Sequence, residues 1–262
     1  MSNFHIVVGG GSGIGKFLVN MILKCSKENI LIIDNYNFKI QKTKRLIFVK
    51  DNFSKEINLK KLLPQKSKIK SISFLIPQCK PREQDINKIG FTSNFIENVG
   101  MNNAALLHLI SSAIPYFCNA SSIVLVSSIL ANRVAIGDAT LDYHASKAVL
   151  ESITRYMSAQ LAPKTMINCL SPALIARNNK SALLTQTNLR NAIKISTPLG
   201  RPYQQKEIAR AIWSLASGQL GFVTGQTIVM DGGSSVLEPF SIARSMASKI
   251  LRESSKKRIL SD

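Results

Sequence analysis

The 262 residues, 45% hydrophobic and 19% charged, have the composition of one ordinary folded α/β domain, which excludes disordered and collagen-like classes. The formal charge of +19 is unevenly placed: eleven Lys or Arg against two acids lie between Asn35 and Lys70, whereas Arg133 is the sole Lys or Arg between Ile89 and Ser146. Basic stretches of this kind suit an acidic partner or an anionic surface, but no aromatic-interleaved RNA-binding pattern, zinc knuckle or helix-turn-helix accompanies them, so no specific nucleic acid is expected.

The longest apolar runs, such as Ile30 to Ile33 and Ile123 to Val126, are strand-sized, far below the roughly 18 to 20 residues that span a bilayer. Met1-Ser-Asn-Phe-His5 leads directly into a strand pattern without a secretory signal, so a cytoplasmic location is expected. Cys25, Cys79, Cys118 and Cys169 are far apart and form no Cys-x-x-Cys pair, which reads as free thiols without a metal site. In chain order, strands are predicted at Phe4–Val8, Asn29–Asp34, Arg45–Val49, Ser71–Ile76, Ser122–Ser127, Thr165–Leu170 and Thr227–Met230. Helices are predicted from Gly13, over Asn94–Phe117, over Leu141–Leu161 and over Gln205–Ser217. Near-continuous apolar strands alternating with helices predict a single-domain, doubly wound α/β fold: a parallel seven-stranded sheet with helices on both faces. Residues 1–239 form this domain. Residues 240–262 read as a basic C-terminal helix and tail, since Ser241 to Ser254 spaces Ile242, Met246 and Ile250 at the helical period.

The segment His5-Ile-Val-Val-Gly9-Gly-Gly-Ser-Gly13-Ile-Gly15-Lys leaves an apolar strand, crosses a glycine-rich turn and enters a helix. Such a turn lets backbone N–H groups approach a pyrophosphate, and the helix N-terminus adds unpaired donors and a partial positive charge. The context is that of a Rossmann dinucleotide site. Asp34 ends the second strand where a carboxylate accepts from the adenosine ribose hydroxyls of NAD and repels a 2′-phosphate. NAD is therefore preferred, while Lys39 and Lys42 are close enough in sequence to keep NADP open.

Tyr143-His-Ala-Ser-Lys147 places a phenol and an ammonium on one helix face, about one turn apart. A phenol is a poor proton carrier at neutral pH, and a neighbouring ammonium favours the phenolate that acid–base work requires.

From about Phe4 to Gly233 the chain resembles the short-chain dehydrogenase/reductase family, in particular its 3-oxoacyl-carrier-protein-reductase-like members. The resemblance is carried in order by Gly9-x-x-x-Gly13-Ile-Gly15, Asn98, Ser127-Ser128, Tyr143-x-x-x-Lys147 and Asn168-Cys-Leu-Ser-Pro172. Pro198-Leu-Gly-Arg201, Glu207-Ile-Ala, Thr224-Gly-Gln226 and Asp231-Gly-Gly233 complete it. The resemblance implies a proton relay. Tyr143 exchanges a proton with the substrate oxygen, and Ser128, with Ser127 as the alternative, hydrogen-bonds that oxygen. Lys147 holds the nicotinamide ribose and favours the phenolate, and Asn98 supports a water leading to Lys147. It further implies a cofactor bed of Gly9, Ser12, Gly13, Ile14 and Gly15, with Asp34 on the ribose, Asp51 at the adenine, and Asn98, Tyr143, Lys147, Pro172 and Ile175 around the nicotinamide. No metal is implied.

The chain departs from the family pattern at Pro77-Gln-Cys-Lys80, at Val8, Ala173 and Arg177, and in the wider spacing of Ser128 from Tyr143. The expected substrate-covering segment, between Pro172 and Pro198, carries Arg177, Lys180, Arg190 and Lys194 and no acid, which suits an anionic substrate or simply a solvated face. His108 and His144 read as packing or surface residues. Three functions stay open: an NAD(H)-dependent oxidoreductase acting on the carbonyl or secondary alcohol of a small molecule, as in specialised biosynthesis; a reductase of 3-oxoacyl thioesters; and a non-catalytic dinucleotide-binding protein. The resemblance also implies a homotetramer joined through the helices of Asn98 and Tyr143.

Overall fold

The computed structural model describes residues 2–35, 43–51, 57–75, 91–135, 139–173, 175–176 and 187–248. In chain order its elements are β1 (Asn3–Val8), α1 (Gly13–Cys25), β2 (Asn29–Asp34), β3 (Leu46–Lys50), α2 (Leu59–Leu62), β4 (Lys68–Phe74), α3 (Phe91–Ala113) and β5 (Phe117–Val126). There follow α4 (Leu141–Leu161), β6 (Thr165–Pro172), β7 (Ile175–Ala176), α5 (Thr187–Ser196), β8 (Tyr203–Gln204), α6 (Gln205–Ala216), β9 (Thr227–Met230) and α7, residues 239–248. Met1–Pro172 with Gln205–Val229 forms one compact unit, and Ala173–Gln204 with Met230–Asp262 a second.

The first unit is built on a seven-stranded sheet of order β3-β2-β1-β4-β5-β6-β9. The pairings from β3 across to β6 are parallel, with Val7 opposite Ile32 and Ser73, and Leu125 opposite Phe74 and Cys169. The period of two explains why both faces are covered. Ile6, Val8, Leu31, Ile33, Ile72, Phe74, Ile123 and Leu125 pack with Leu106, Leu109 and Ile110 of α3 and Leu150 of α4. The alternate residues meet α1 and α6: His5 stacks edge-on against Trp213 at 5.3 Å, and the Ser122 hydroxyl donates to the Leu215 carbonyl at 2.9 Å. Small Ser71, Ser73 and Ser122 on that face let the helices approach closely.

Several boundaries differ from the sequence expectation. The long helix stops at Ala113 instead of Phe117, because Pro115 closes a short 3₁₀ turn, Ile114–Tyr116, and cannot supply the amide that an α-helix needs. β5 then starts at Phe117 instead of Ser122. It carries an irregularity with Asn119 and Ala120 exposed and Ala120 at φ +57°, and these polar and small residues hide its first half from an apolar pattern. β4 begins at Lys68 because lysines alternate with buried Ile69. The predicted strand end at Ile76, the Pro77–Lys80 departure, Lys39, Lys42, Arg177 and Lys180 lie outside the described residues.

In the second unit β7 pairs with β8 through Ile175 and Tyr203. The Asp231 carboxylate accepts from the backbone N–H groups of Gly233 at 2.9 Å and Ser235 at 2.6 Å. Burial opposes its ionisation, but these N–H donors and the serine hydroxyls outweigh that and hold Asp231 below the ordinary carboxylate range. Among the described residues no helix is long and apolar enough to cross a membrane.

Candidate active site

The chain turns back on itself at the carboxyl edge of the sheet, between β1 and β4. After β1 it moves outward to β2, and β4 leads in the opposite direction to β5, so the strand order reverses there, the position at which open α/β sheets carry a ligand crevice. The glycine turn lies at that point. Gly9 has φ +81°, and its N–H donates to Ile33 O at 2.9 Å while Leu75 N–H donates to Val8 O. Close approach is most severe at Gly15, where a Cβ would overlap the Gly9 carbonyl oxygen and lie 2.7 Å from Gly10 Cα. α1 therefore starts hard against the strand it follows. Ser12 occupies the N-cap position without a side-chain capping bond, and no acidic residue lies in the first turn of α1. Gly13 is exposed and Ile14 half-buried beside it. An anion placed here meets N–H donors and the positive end of the helix.

Asp34, at the end of β2, is buried, and its Oδ2 accepts from Gly11 N–H at 2.7 Å. The carboxylate thereby fixes the turn. Asp51 follows β3, and its N–H donates to Asp34 O at 3.0 Å, which puts it next in line along the same edge.

Tyr143 and Lys147 lie in the first two turns of α4. Lys147 is only 4% exposed; its Nζ donates to Val126 O at 3.0 Å and lies 5.6 Å from the centre of the Tyr143 ring. The end of β5 thus anchors the ammonium beside the phenol. The two serines after β5 differ in their commitments. Ser127 Oγ donates to Lys147 O at 3.0 Å and lies 3.2 Å from Glu151 Oε1, so its proton is spent on α4. Ser128 Oγ accepts from Leu130 N–H at 3.2 Å, which uses a lone pair and not the hydroxyl proton. Asn98, on α3, donates through Nδ2 to Asp142 Oδ2 at 2.6 Å. Pro172 is buried at the end of β6, and Ile175 lies in β7 of the second unit.

These features coincide with known proteins. The sequence profile of the family described as Enoyl-(Acyl carrier protein) reductase matches residues 85–235. The chain belongs to the short-chain dehydrogenase/reductase family of oxidoreductases. It is 30% identical over 133 residues to Tropinone reductase-like 3 of Erythroxylum coca, a match covering 51% of this chain and 51% of that protein. The chain thus spans about half the length of that relative. It is 28% identical over 247 residues to the 3-oxoacyl-(acyl-carrier-protein) reductase of Rickettsia conorii, covering 87% of this chain and 95% of that one. The fold is shared with a short-chain dehydrogenase of Leptospira borgpetersenii solved with bound NAD+, at TM-score 0.73 and 19% identity, over 89% of this chain and 93% of that one.

Within this short-chain dehydrogenase/reductase, sequence reasoning missed two side chains of α4. Asp142, 1% exposed, joins Asn98 to the helix start. Glu151 is buried and accepts from Asn132 Nδ2 at 2.7 Å, tying the chain after Ser128 to α4. The repetition Tyr143, Lys147, Glu151 at intervals of four was the available signal, since it puts all three on one face. His144, read from the sequence as a packing or surface residue, bonds the backbone before α4. Its Nδ1 lies 2.7 Å from Thr140 O and its Nε2 accepts from Ala135 N–H at 3.2 Å, a pattern that places the ring proton on Nδ1. Beneath the site, burial first, then the Glu151 charge, pushes the Cys169 thiol up to about 12, so this cysteine stays an inert core group.

Proposed function

We propose that the chain is an NAD(H)-dependent oxidoreductase that moves a hydride between nicotinamide and the carbonyl or secondary alcohol of a small molecule. One observation carries the reading: a buried ammonium anchored to the end of β5 lies over the ring of Tyr143, with the Ser128 hydroxyl beginning the next segment of chain. When bound, the cofactor supplies the hydride.

The residues present fit that group. The Gly9–Gly15 turn leaves no room for a side chain at Gly10, Gly11 or Gly15 and offers N–H donors to a pyrophosphate. Asp34 holds the turn with Oδ2, and a carboxylate at this edge accepts from ribose hydroxyls while repelling a 2′-phosphate, which favours NAD over NADP. In the reductive direction Tyr143 donates its phenolic proton to the substrate oxygen, and Ser128 donates a second hydrogen bond to the same oxygen. Lys147 stabilises the negative charge left on Tyr143 and holds ribose hydroxyls. Asn98 supports the proton path that restores the phenol.

A second reading, reduction of 3-oxoacyl thioesters, is favoured by the Rickettsia conorii relative and by the matched family profile. Exposed Arg190 and Lys194 on α5 suit a carrier or nucleotide-linked acid. Assembly as a homotetramer through α3 and α4 belongs to the same reading, with Ile96 and Leu107 on α3 and Tyr156 on α4 exposed. Steady-state assays with acetoacetyl-CoA and with simple ketones, each with NADH and with NADPH, test it. Turnover with NADH is expected, and Tyr143→Phe is expected to cut kcat by about 10² to 10⁴-fold while NADH still binds. Undiminished turnover by Tyr143→Phe, or preference for NADPH, overturns the corresponding half of the proposal.

A further inference from the structure

Asp142 is a buried acid where helices usually expose one. Acids in the first turn of a helix are favoured by its dipole, and at the surface they need nothing more. Asp142 instead is 1% exposed, in a helix whose next residue is Tyr143. Its Oδ1 accepts from the Tyr143 N–H at 3.1 Å, and its Oδ2 accepts from Asn98 Nδ2 at 2.6 Å, across the α3–α4 contact and 44 residues back in the chain. A carboxylate also decides the sense of the amide. Only the NH₂ end of Asn98 can donate to it, so the amide oxygen is the end turned away from Asp142.

We propose that Asp142 is the positioning residue of this centre: through one carboxylate it locks the α3 asparagine and the α4 tyrosine turn into a single arrangement and sets which end of the Asn98 amide is turned away from the start of α4. The inference rests on the oxidoreductase reading above. It assigns Asp142 no contact with substrate; it acts through Asn98 and through the backbone of Tyr143. A group in this role contributes when charge moves, so its loss lowers kcat and leaves binding almost untouched.

The test uses the full chain with NADH and acetoacetyl-CoA. Asp142→Ala is expected to lower kcat by roughly tenfold to a hundredfold, with KM for acetoacetyl-CoA and the NADH dissociation constant changed by no more than about twofold. Asp142→Asn keeps an acceptor for the Tyr143 N–H but sets an amide against an amide, so it is expected to retain part of kcat. Exchanging the pair, Asn98→Asp with Asp142→Asn, restores a donor facing a carboxylate and is expected to recover kcat above either single variant. Urea midpoints of the wild type, both single variants and the exchange form a cycle that reads the coupling without activity. Unchanged kcat in Asp142→Ala, a rise in KM at constant kcat, or an exchange no better than the poorer single variant overturns the role. Absence of wild-type turnover overturns the oxidoreductase reading and this role together. A turning-over wild type with an uncoupled cycle overturns Asp142 alone.

Discussion

Between Gly9 and Asp34 the site is made almost wholly of backbone, whereas around Tyr143 and Lys147 it is made of side chains contributed by α3, the end of β5, the segment after it and α4. The first region spans a turn, a helix and the next strand, all consecutive in the chain. The second joins Asn98, Val126, Ser128 and Asp142, which only the folded sheet brings together. Where backbone packs on backbone, as at Gly15, no added atom is tolerated, because carbonyls and Cα atoms cannot rotate away; a side-chain-built region can absorb a change and lose chemistry while keeping its fold.

Gly15→Ala breaks the comparison most severely. Its new methyl would meet the Gly9 carbonyl and Gly10 Cα, which belong to the main chain of the same turn. Overpacking of this kind costs about 3 kcal/mol or more when only backbone can yield. The expected outcome is a thermal midpoint lowered by several degrees and loss of NADH binding, measured by calorimetry and by nucleotide fluorescence. Wild-type stability in this variant would mean that α1 does not start hard against β1.

The same difference explains what could be read in advance. The glycine turn, Asp34 and the Tyr143–Lys147 spacing are local patterns, and the apolar strands Asn29–Asp34 and Thr227–Met230 and the helix Leu141–Leu161 have the predicted bounds. Legibility failed where a pattern was overwritten: by Pro115 at the end of α3, by exposed Asn119 and Ala120 in β5, and by the lysines of β4. It failed again where a role depends on a partner far away in sequence. Nothing in Leu141-Asp142-Tyr143 announces Asn98, and nothing in Ser127-Ser128 tells which hydroxyl is spent on Lys147 and Glu151.

β1 carries both kinds of construction, since its carboxyl end is the backbone turn and its other end holds a side-chain network. His5 is buried, with Nδ1 2.7 Å from Ser71 Oγ and Nε2 3.4 Å from Ser26 Oγ. Burial pulls its pKa from 6.5 to about 4, with Lys70 adding to the fall and Glu28 opposing it. The unfolded chain takes up this proton below pH 6.5, and the folded one resists until about 4. This stabilising contribution is complete above the unfolded value and is lost as pH falls, reaching about 3 kcal/mol by about pH 4. Urea titrations across this range, on wild type and on His5→Gln, are expected to differ in slope, with the variant flatter. Parallel slopes would mean that His5 is charged in the fold.

The smallest effect is expected at Asp34, whose side chain braces the backbone-built turn at Gly11. Asp34→Asn keeps the size of the group, and its amide oxygen can accept the Gly11 N–H that the carboxylate now holds at 2.7 Å. The turn should therefore survive, at a cost of about 1 kcal/mol or less, because a neutral acceptor replaces a charged one. What changes is the charge at the crevice edge. Without the carboxylate a 2′-phosphate is no longer repelled, so the ratio of kcat/KM for NADH over NADPH is expected to fall by about tenfold or more, mainly through tighter NADPH binding. A variant that collapses would show that the carboxylate serves chiefly as a brace for Gly11. An unchanged ratio would show that cofactor choice lies with another group, and the separation between backbone and side-chain roles at this edge would have to be redrawn.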